Sequence, residues 1–216
     1  MDWNYLSKLM SILLSGLQVS LKIFILTLLF SIPLGIIVAC LSMSKNKTIS
    51  LITKLYILVM RGTPLLLQII CIYFAPYYLF RLSYDRFVAI IIAFSLNYAA
   101  YFGEIFRGGI ESISKGQWEA AFTLGFNKIQ TFFIIILPQT IKIILPSISN
   151  EVITLVRDTS LAQIIGVTEL FSLAQKQANF KSSILPLCVA GMVYLIISVV
   201  LTAIFNYIEK KLEYYR

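Results

Sequence analysis

Five stretches of about 20 or more mostly apolar residues, at roughly 17–42, 52–76, 87–107, 132–156 and 184–208, constrain this chain more than any other feature. An α-helix needs about 20 residues to cross the hydrocarbon core of a bilayer. Within lipid only helices and closed barrels satisfy their own backbone polar groups, and the period-2 alternation of barrel strands is absent. The composition agrees, at 59% apolar against 13% charged with a mean hydropathy of +0.87. A soluble surface of this length needs far more charge. The expectation is an all-α polytopic membrane bundle of about five transmembrane helices, forming a single transmembrane domain over residues 1–216. The semi-polar residues 157–181 are expected as a short re-entrant or surface helix. No linker, low-complexity tract, second domain or clear internal repeat interrupts this pattern.

Basic residues set the expected orientation. Lys45, Lys47, Lys54, Arg107, Lys115, Lys128, Lys210, Lys211 and Arg216 fall on one side, and Lys8, Arg81, Arg86, Arg157, Lys176 and Lys181 on the other. Nine against six places the N-terminus outside, the C-terminus in the cytosol and the loop at 108–131 in the cytosol. The net charge of +8 then belongs to the membrane surface, and no basic face stands apart from the spans for a nucleic acid. Cys40, Cys71 and Cys188 lie in or at the ends of spans without metal spacing and read as small apolar packers. The first apolar run is too long for a signal-peptide core and reads as an uncleaved span.

Catalytic chemistry is missing. The chain has no histidine, no Gly-x-x-x-x-Gly-Lys-Ser/Thr phosphate loop, and no recognisable nucleophile arrangement. No enzyme activity and no cofactor on this chain are expected. If the protein pumps, it draws on an ion gradient or on a partner.

One polar loop interrupts the apolar pattern. On a helix from Gly116 to Gln130, Trp118, Ala121, Phe122, Gly125, Phe126 and Ile129 would share one face, with Glu119, Thr123, Asn127 and Gln130 on another. An interfacial amphipathic helix is the plain reading, but such helices lean basic and this one carries Lys128 against Glu119. Gly125 costs about 1 kcal/mol inside a helix relative to Ala and suggests a bend between two short helices or a close backbone approach.

The spacing Glu119-Ala120-Ala121-x3-Gly125-x9-Ile135-x-Leu137-Pro138 resembles the cytoplasmic signature of membrane subunits in binding-protein-dependent ABC importers. Arg61-Gly62-Thr63-Pro64-Leu65-Leu66, Tyr101 to Ile110, and Asp158-Thr159-Ser160-Leu161 resemble the permeases for polar amino acids such as histidine, glutamine, arginine or cystine. The likeness runs over roughly residues 15–210. It implies a bacterial plasma-membrane subunit whose loop docks into a cleft on a separate ATPase. Glu119 would make the polar contact, Gly125 the turn, and Trp118, Ala120, Ala121 and Lys128 the remainder of the docking segment. ATP and Mg would sit on two ATPase subunits. An extracytoplasmic amino-acid-binding protein and a second permease, identical or similar, would complete the assembly. The rival readings are an ion-coupled secondary transporter, a membrane scaffold, and an importer for another small solute.

Polar residues at membrane depth are the remaining site candidates. Asn97, in the middle of span three, is expected either to hold the bundle by an interhelical hydrogen bond or to line the pathway. Ser95, Ala99 and Gly103, and Ser31, Gly35 and Ala39, form small-residue stripes for packing helix to helix or across a dimer. Glu151 either faces a cavity and binds a substrate ammonium or pairs with Arg61 or Lys142, the pair being the expectation. Arg61 is expected to snorkel to the headgroups, with Gly62 and Pro64 breaking the helix after it; a pathway role is the alternative. Asp158-Thr159-Ser160, with Gln163, reads as the cap of a helix starting near Leu161. The resemblance places that stretch near the translocation path, making Asp158 the leading candidate for a substrate ammonium or guanidinium. Pro138 and Pro146 are expected to bend span four.

Overall fold

The computed structural model describes residues 3–212, so Arg216, counted above among the basic residues, lies outside them. Helices joined by short turns run in the order α1 (Trp3–Ser42), α2 (Lys47–Gly62), α3 (Leu65–Phe80), α4 (Arg86–Glu111), α5 (Lys115–Thr123), α6 (Lys128–Gln130), a π-helical turn (Thr131–Ile136), α7 (Leu137–Asp158), a 3-10 segment (Thr159–Ile165), α8 (Leu170–Lys181) and α9 (Leu185–Leu212). Their starts follow side-chain chemistry. The Asn46 carboxamide oxygen accepts the N–H groups of Thr48 and Ile49 to open α2, and the Asp85 carboxylate accepts those of Phe87 and Val88 to open α4. α3 stops at Arg81, which takes the left-handed conformation at φ 57° while its N–H bonds the carbonyl of Tyr77.

α4 is the axis of the bundle. Within its most apolar stretch 61% of residues are buried by the rest of the chain, against 6% for α9, whose surface is left to lipid or a partner. The small-residue stripes explain how α4 is reached. A Cβ on Gly35 would lie 2.8 Å from Phe102 Cβ and 3.2 Å from the Gly103 nitrogen, and one on Gly103 would lie 2.6 Å from a Val38 methyl. α1 and α4 therefore meet backbone to backbone, as helices do where dispersion must replace the hydrophobic effect. The Ser31 and Ser95 hydroxyls in these stripes are buried without a hydrogen-bond partner, so the stripes work through size. Around this contact Ile23, Ile69, Ile90, Phe94, Phe102 and Leu155 form the main core. A second core joins Leu9 and Leu13 of α1 to Leu170 and Ala174 of α8 and Ala190 of α9.

The second span, 52–76, is broken where Gly62 and Pro64 are expected to break it: α2 and α3 are inclined by 110° about Thr63 and Pro64. Two expectations need correcting. Residues 157–181 are no surface helix: α7 runs on into the 3-10 segment, and α8 buries Leu170, Ser172, Ala174 and Ala178. The three cysteines are exposed on the chain rather than packed within it.

Replacing Gly103 with Leu forces a branched side chain into the α1–α4 contact and is expected to cost about 1–3 kcal/mol. The apparent Tm of the purified protein in detergent should fall; an unchanged Tm contradicts the contact.

Candidate functional site

The polar loop is built by two successive motifs. α5 ends in a Schellman turn: the Phe126 N–H bonds the Ala121 carbonyl at 3.1 Å, the Gly125 N–H bonds the Phe122 carbonyl at 3.0 Å, and Gly125 takes φ +84°. A capping box follows at once. The Asn127 side chain accepts from the N–H groups of Ile129 and Gln130, and the Gln130 side chain accepts from the Asn127 N–H. The stretch from Gly116 to Gln130 is therefore two helices with Gly125 between them, the first of the two readings of that glycine. Nothing lies within 4 Å of a Cβ built on Gly125, so it serves the turn and not a close approach. The turn also divides the expected apolar face. Ala121 is fully buried, while Phe122, Leu124 (75% exposed) and Ile129 (71%) face outward beside exposed Glu119, Ala120 and Lys128, with Trp118 half-buried. The loop thus presents an apolar tip with a carboxylate at its side.

After the capping box the helix enters a π turn in which the Leu137 N–H reaches back five residues to Phe132. Pro138, lacking an N–H, sits in the first turn of α7. The helical run from Lys128 to Ile165 is otherwise continuous. It carries the loop at one end and Glu151 and Asp158 toward the other.

The break between α2 and α3 is repaired from within the bundle. Helix ends leave carbonyls unpaired, which is costly at membrane depth. Asn97, 4% exposed on α4, donates to the Met60 carbonyl at 3.0 Å and to Gln68 Oε1 at 2.9 Å. Gln68 Nε2 in turn donates to the Met60 carbonyl at 2.9 Å and to Thr63 Oγ1 at 2.8 Å. Asn97 thus clamps the broken span onto α4, the first of the two roles its position allows.

The charged groups sit around this break. Arg61, the penultimate residue of α2, stacks 5.2 Å from the Tyr101 ring centroid and lies 4.0 Å from Glu104. Its ion-pair partner is Glu104 rather than Glu151, because the bend after Gly62 turns the end of α2 against α4. Glu104 is gripped by Arg107 through Nε at 2.9 Å and Nη2 at 2.5 Å, and Arg107 Nη1 also reaches Glu111 at 2.5 Å. A cavity of about 600 Å³ opens beside these groups, lined by Lys54, Ile57, Arg61, Tyr101, Glu104 and Arg107. Deeper along α7, half-buried Glu151 lies within electrostatic reach of both Arg61 and Asp158, two helical turns on along the same face. Asp158 Oδ2 accepts the hydroxyl proton of Tyr98 at 2.8 Å.

The expected cap at Asp158 is not formed. Asp158 is helical, with φ −64° and ψ −24°, and makes no capping bond; Thr159 and Ser160 donate backward to the carbonyls of Val156 and Arg157. The helix does not stop there, so it offers no free first turn. The cap lies at Glu169, whose carboxylate accepts the N–H groups of Phe171 and Ser172 at 2.7 Å each and opens α8. Gln68, Tyr98, Glu104 and Glu169 were not expected. The lone glutamine after Pro64 and the i,i+3 spacing of Glu104 and Arg107 are legible signals. The Asp158 partner of Tyr98 and the Ser20 and Tyr194 partners of Glu169 are remote in sequence and leave none.

A bundle with a broken span and charges at membrane depth suits passage of a polar solute, and sequence comparison agrees. The chain belongs to the family described as binding-protein-dependent transport system inner membrane component, whose pattern matches residues 31–214. It is similar to the L-cystine transport system permease protein TcyB of Bacillus subtilis (strain 168), 38% identical over 94% of this chain and 88% of that protein. It is 37% identical to the arginine transport system permease protein ArtQ of the same organism, over 93% and 92% of the two chains. A crystal structure of an amino acid ABC transporter with histidines superposes with a TM-score of 0.89 at 30% identity, covering 98% of this chain and 99% of that one. The chain is therefore a transport component of an inner membrane, without catalysis of its own, of a kind that works with an ATPase and a substrate-binding protein.

Gly125→Ala places a Cβ in the left-handed region at a cost of roughly 1 kcal/mol. Amide hydrogen exchange across residues 121–130 should rise about fivefold with the bundle unaffected; unchanged exchange would show that the turn does not depend on glycine.

Proposed function

We propose that this chain is the permease subunit of an ATP-driven importer of polar amino acids, coupled to its ATPases through the loop at 108–131. One observation carries the reading: the last turn of the exposed loop, from Lys128, and the two α7 carboxylates belong to one helical run, Lys128 to Ile165. A push on the apolar tip and Glu119 crosses the Gly125 turn, which the Schellman bonds and the Asn127–Gln130 capping box fix, and then passes along that run to Glu151 and Asp158. The π turn before Pro138 gives the run one place to change its register. Alternating exposure of the charged cluster then follows from rocking of the bundle.

The cluster suits a zwitterion. Arg61 offers a planar guanidinium for the α-carboxylate. Glu151 and Asp158 offer carboxylates for an ammonium or guanidinium, with Tyr98 holding Asp158 in place. Thr159 and Ser160 bond backward along the helix and act through position rather than contact. The names of the relatives, cystine and arginine permeases, support the same solute class.

The assembly we propose has two ATPase subunits holding ATP and Mg, an extracytoplasmic amino-acid-binding protein, and a second permease copy or paralogue against the exposed face of α9. The N-terminus lies outside and the loop and C-terminus in the cytosol, as the basic residues favour.

Two substitutions test the two ends of the run. Glu119→Lys is expected to abolish ATP hydrolysis stimulated by the loaded binding protein, with normal membrane insertion; undiminished stimulation removes the coupling role. Asp158→Asn should raise the transport KM by about tenfold, as loss of a charged hydrogen-bond partner does. Were the variant complex to fall apart instead, Asp158 would be a structural residue.

A further inference from the structure

Glu169 is the most buried acid in the described part of the chain, with 0% exposure, and transport as proposed above makes no use of it. It could be an ordinary cap, but its partners exceed what a cap needs. Besides the two backbone N–H groups of α8, its Oε2 accepts the Tyr194 hydroxyl of α9 at 3.1 Å and the Ser20 hydroxyl of α1 at 3.4 Å. Ser20 also accepts the Leu170 N–H at 3.3 Å. Gly16 presses from the other side: a Cβ there would stand 2.9 Å from the Glu169 carbonyl carbon and oxygen. One carboxylate thus joins α1, α8 and α9, its charge favoured by the N-terminus of α8.

The junction touches the substrate end of α7. The Tyr194 hydroxyl lies beside the Thr159 side chain. Ser20, Val156, Thr159 and Tyr194 line one small void. Thr159 is 1% exposed and directly follows Asp158. Asp158 thus has Tyr98 of α4 hydrogen-bonded to its carboxylate, and its next residue, Thr159, faces the same void as Tyr194 of α9.

We propose that Glu169, acting through Tyr194 and Thr159, is a positioning residue that sets the Asp158 carboxylate for substrate. This rests on the reading of Asp158 as a substrate contact, and the experiment separates the two. Tyr194→Phe removes one hydroxyl and leaves the cap of α8 intact. Glu169→Asp keeps the charge but shortens its reach to Tyr194.

Each variant would be reconstituted with the ATPase and binding protein. Uptake of radiolabelled L-arginine, L-glutamine and L-cystine would be measured for KM and kcat, in wild-type and Asp158→Asn backgrounds. The expected result is a KM raised about fivefold by Tyr194→Phe and by Glu169→Asp, with kcat and the amount of assembled complex unchanged. In the Asp158→Asn background neither variant should raise KM further. If Asp158→Asn raises KM but Tyr194→Phe does not, the positioning role fails and the substrate reading stands. Equal, additive effects in both backgrounds also overturn it. If Asp158→Asn leaves KM unchanged, the reading of Asp158 fails and the proposal with it.

Discussion

Lipid offers no hydrogen bonds, so every interruption of a helix in this bundle must be repaired by the protein itself. That constraint organises the structure. Where α2 gives way to α3, Asn97 and Gln68 take up the freed carbonyls. Where the chain turns between the 3-10 segment and α8, Glu169 collects the N–H groups of the new helix. Where α5 ends, outside the apolar runs, a Schellman turn and a capping box do the same locally. Each repair fixes a kinked backbone in one conformation, and the charged or exposed groups of the protein stand beside these repairs.

The breaks also explain where charge can be tolerated. Arg61 survives at the end of α2 because Tyr101 and Glu104 receive it and a cavity adjoins it. Arg107 divides its guanidinium between Glu104 and Glu111, which leaves Glu104 committed to the α4 ladder. Glu151 and Asp158 have no comparable cation pair of their own among the described residues; Asp158 takes a tyrosine hydroxyl and Glu151 relies on the field of Arg61. Carboxylates left in this condition suit a cationic group that arrives and leaves.

Much of this was legible in the sequence, for identifiable reasons. Long apolar runs give the helices and the small-residue stripes give the α1–α4 contact, because both depend on local periodicity. Gly125 and Pro64 are readable as breaks, since backbone conformation at those positions is decided by the residue itself. The single apolar face drawn from Trp118 to Ile129 does not survive the Gly125 bend, because the periodicity of its side chains continues across a turn that reverses their direction. Asp158 was misread as a cap because Asp-Thr-Ser is cap chemistry only when the preceding helix ends, and here α7 continues. Glu169 escaped notice because Ser20 and Tyr194, 149 and 25 residues away, join it only in the folded bundle.

The central claim is that a partner ATPase is driven through this chain when an amino acid is delivered. The most direct measurement is ATP hydrolysis by the complete complex in proteoliposomes, with the binding protein loaded in turn with a panel of amino acids. Stimulation by one or a few polar amino acids, and none by the empty binding protein, is the predicted result. A complex that assembles with its ATPase yet hydrolyses ATP at one rate whatever is delivered would contradict it.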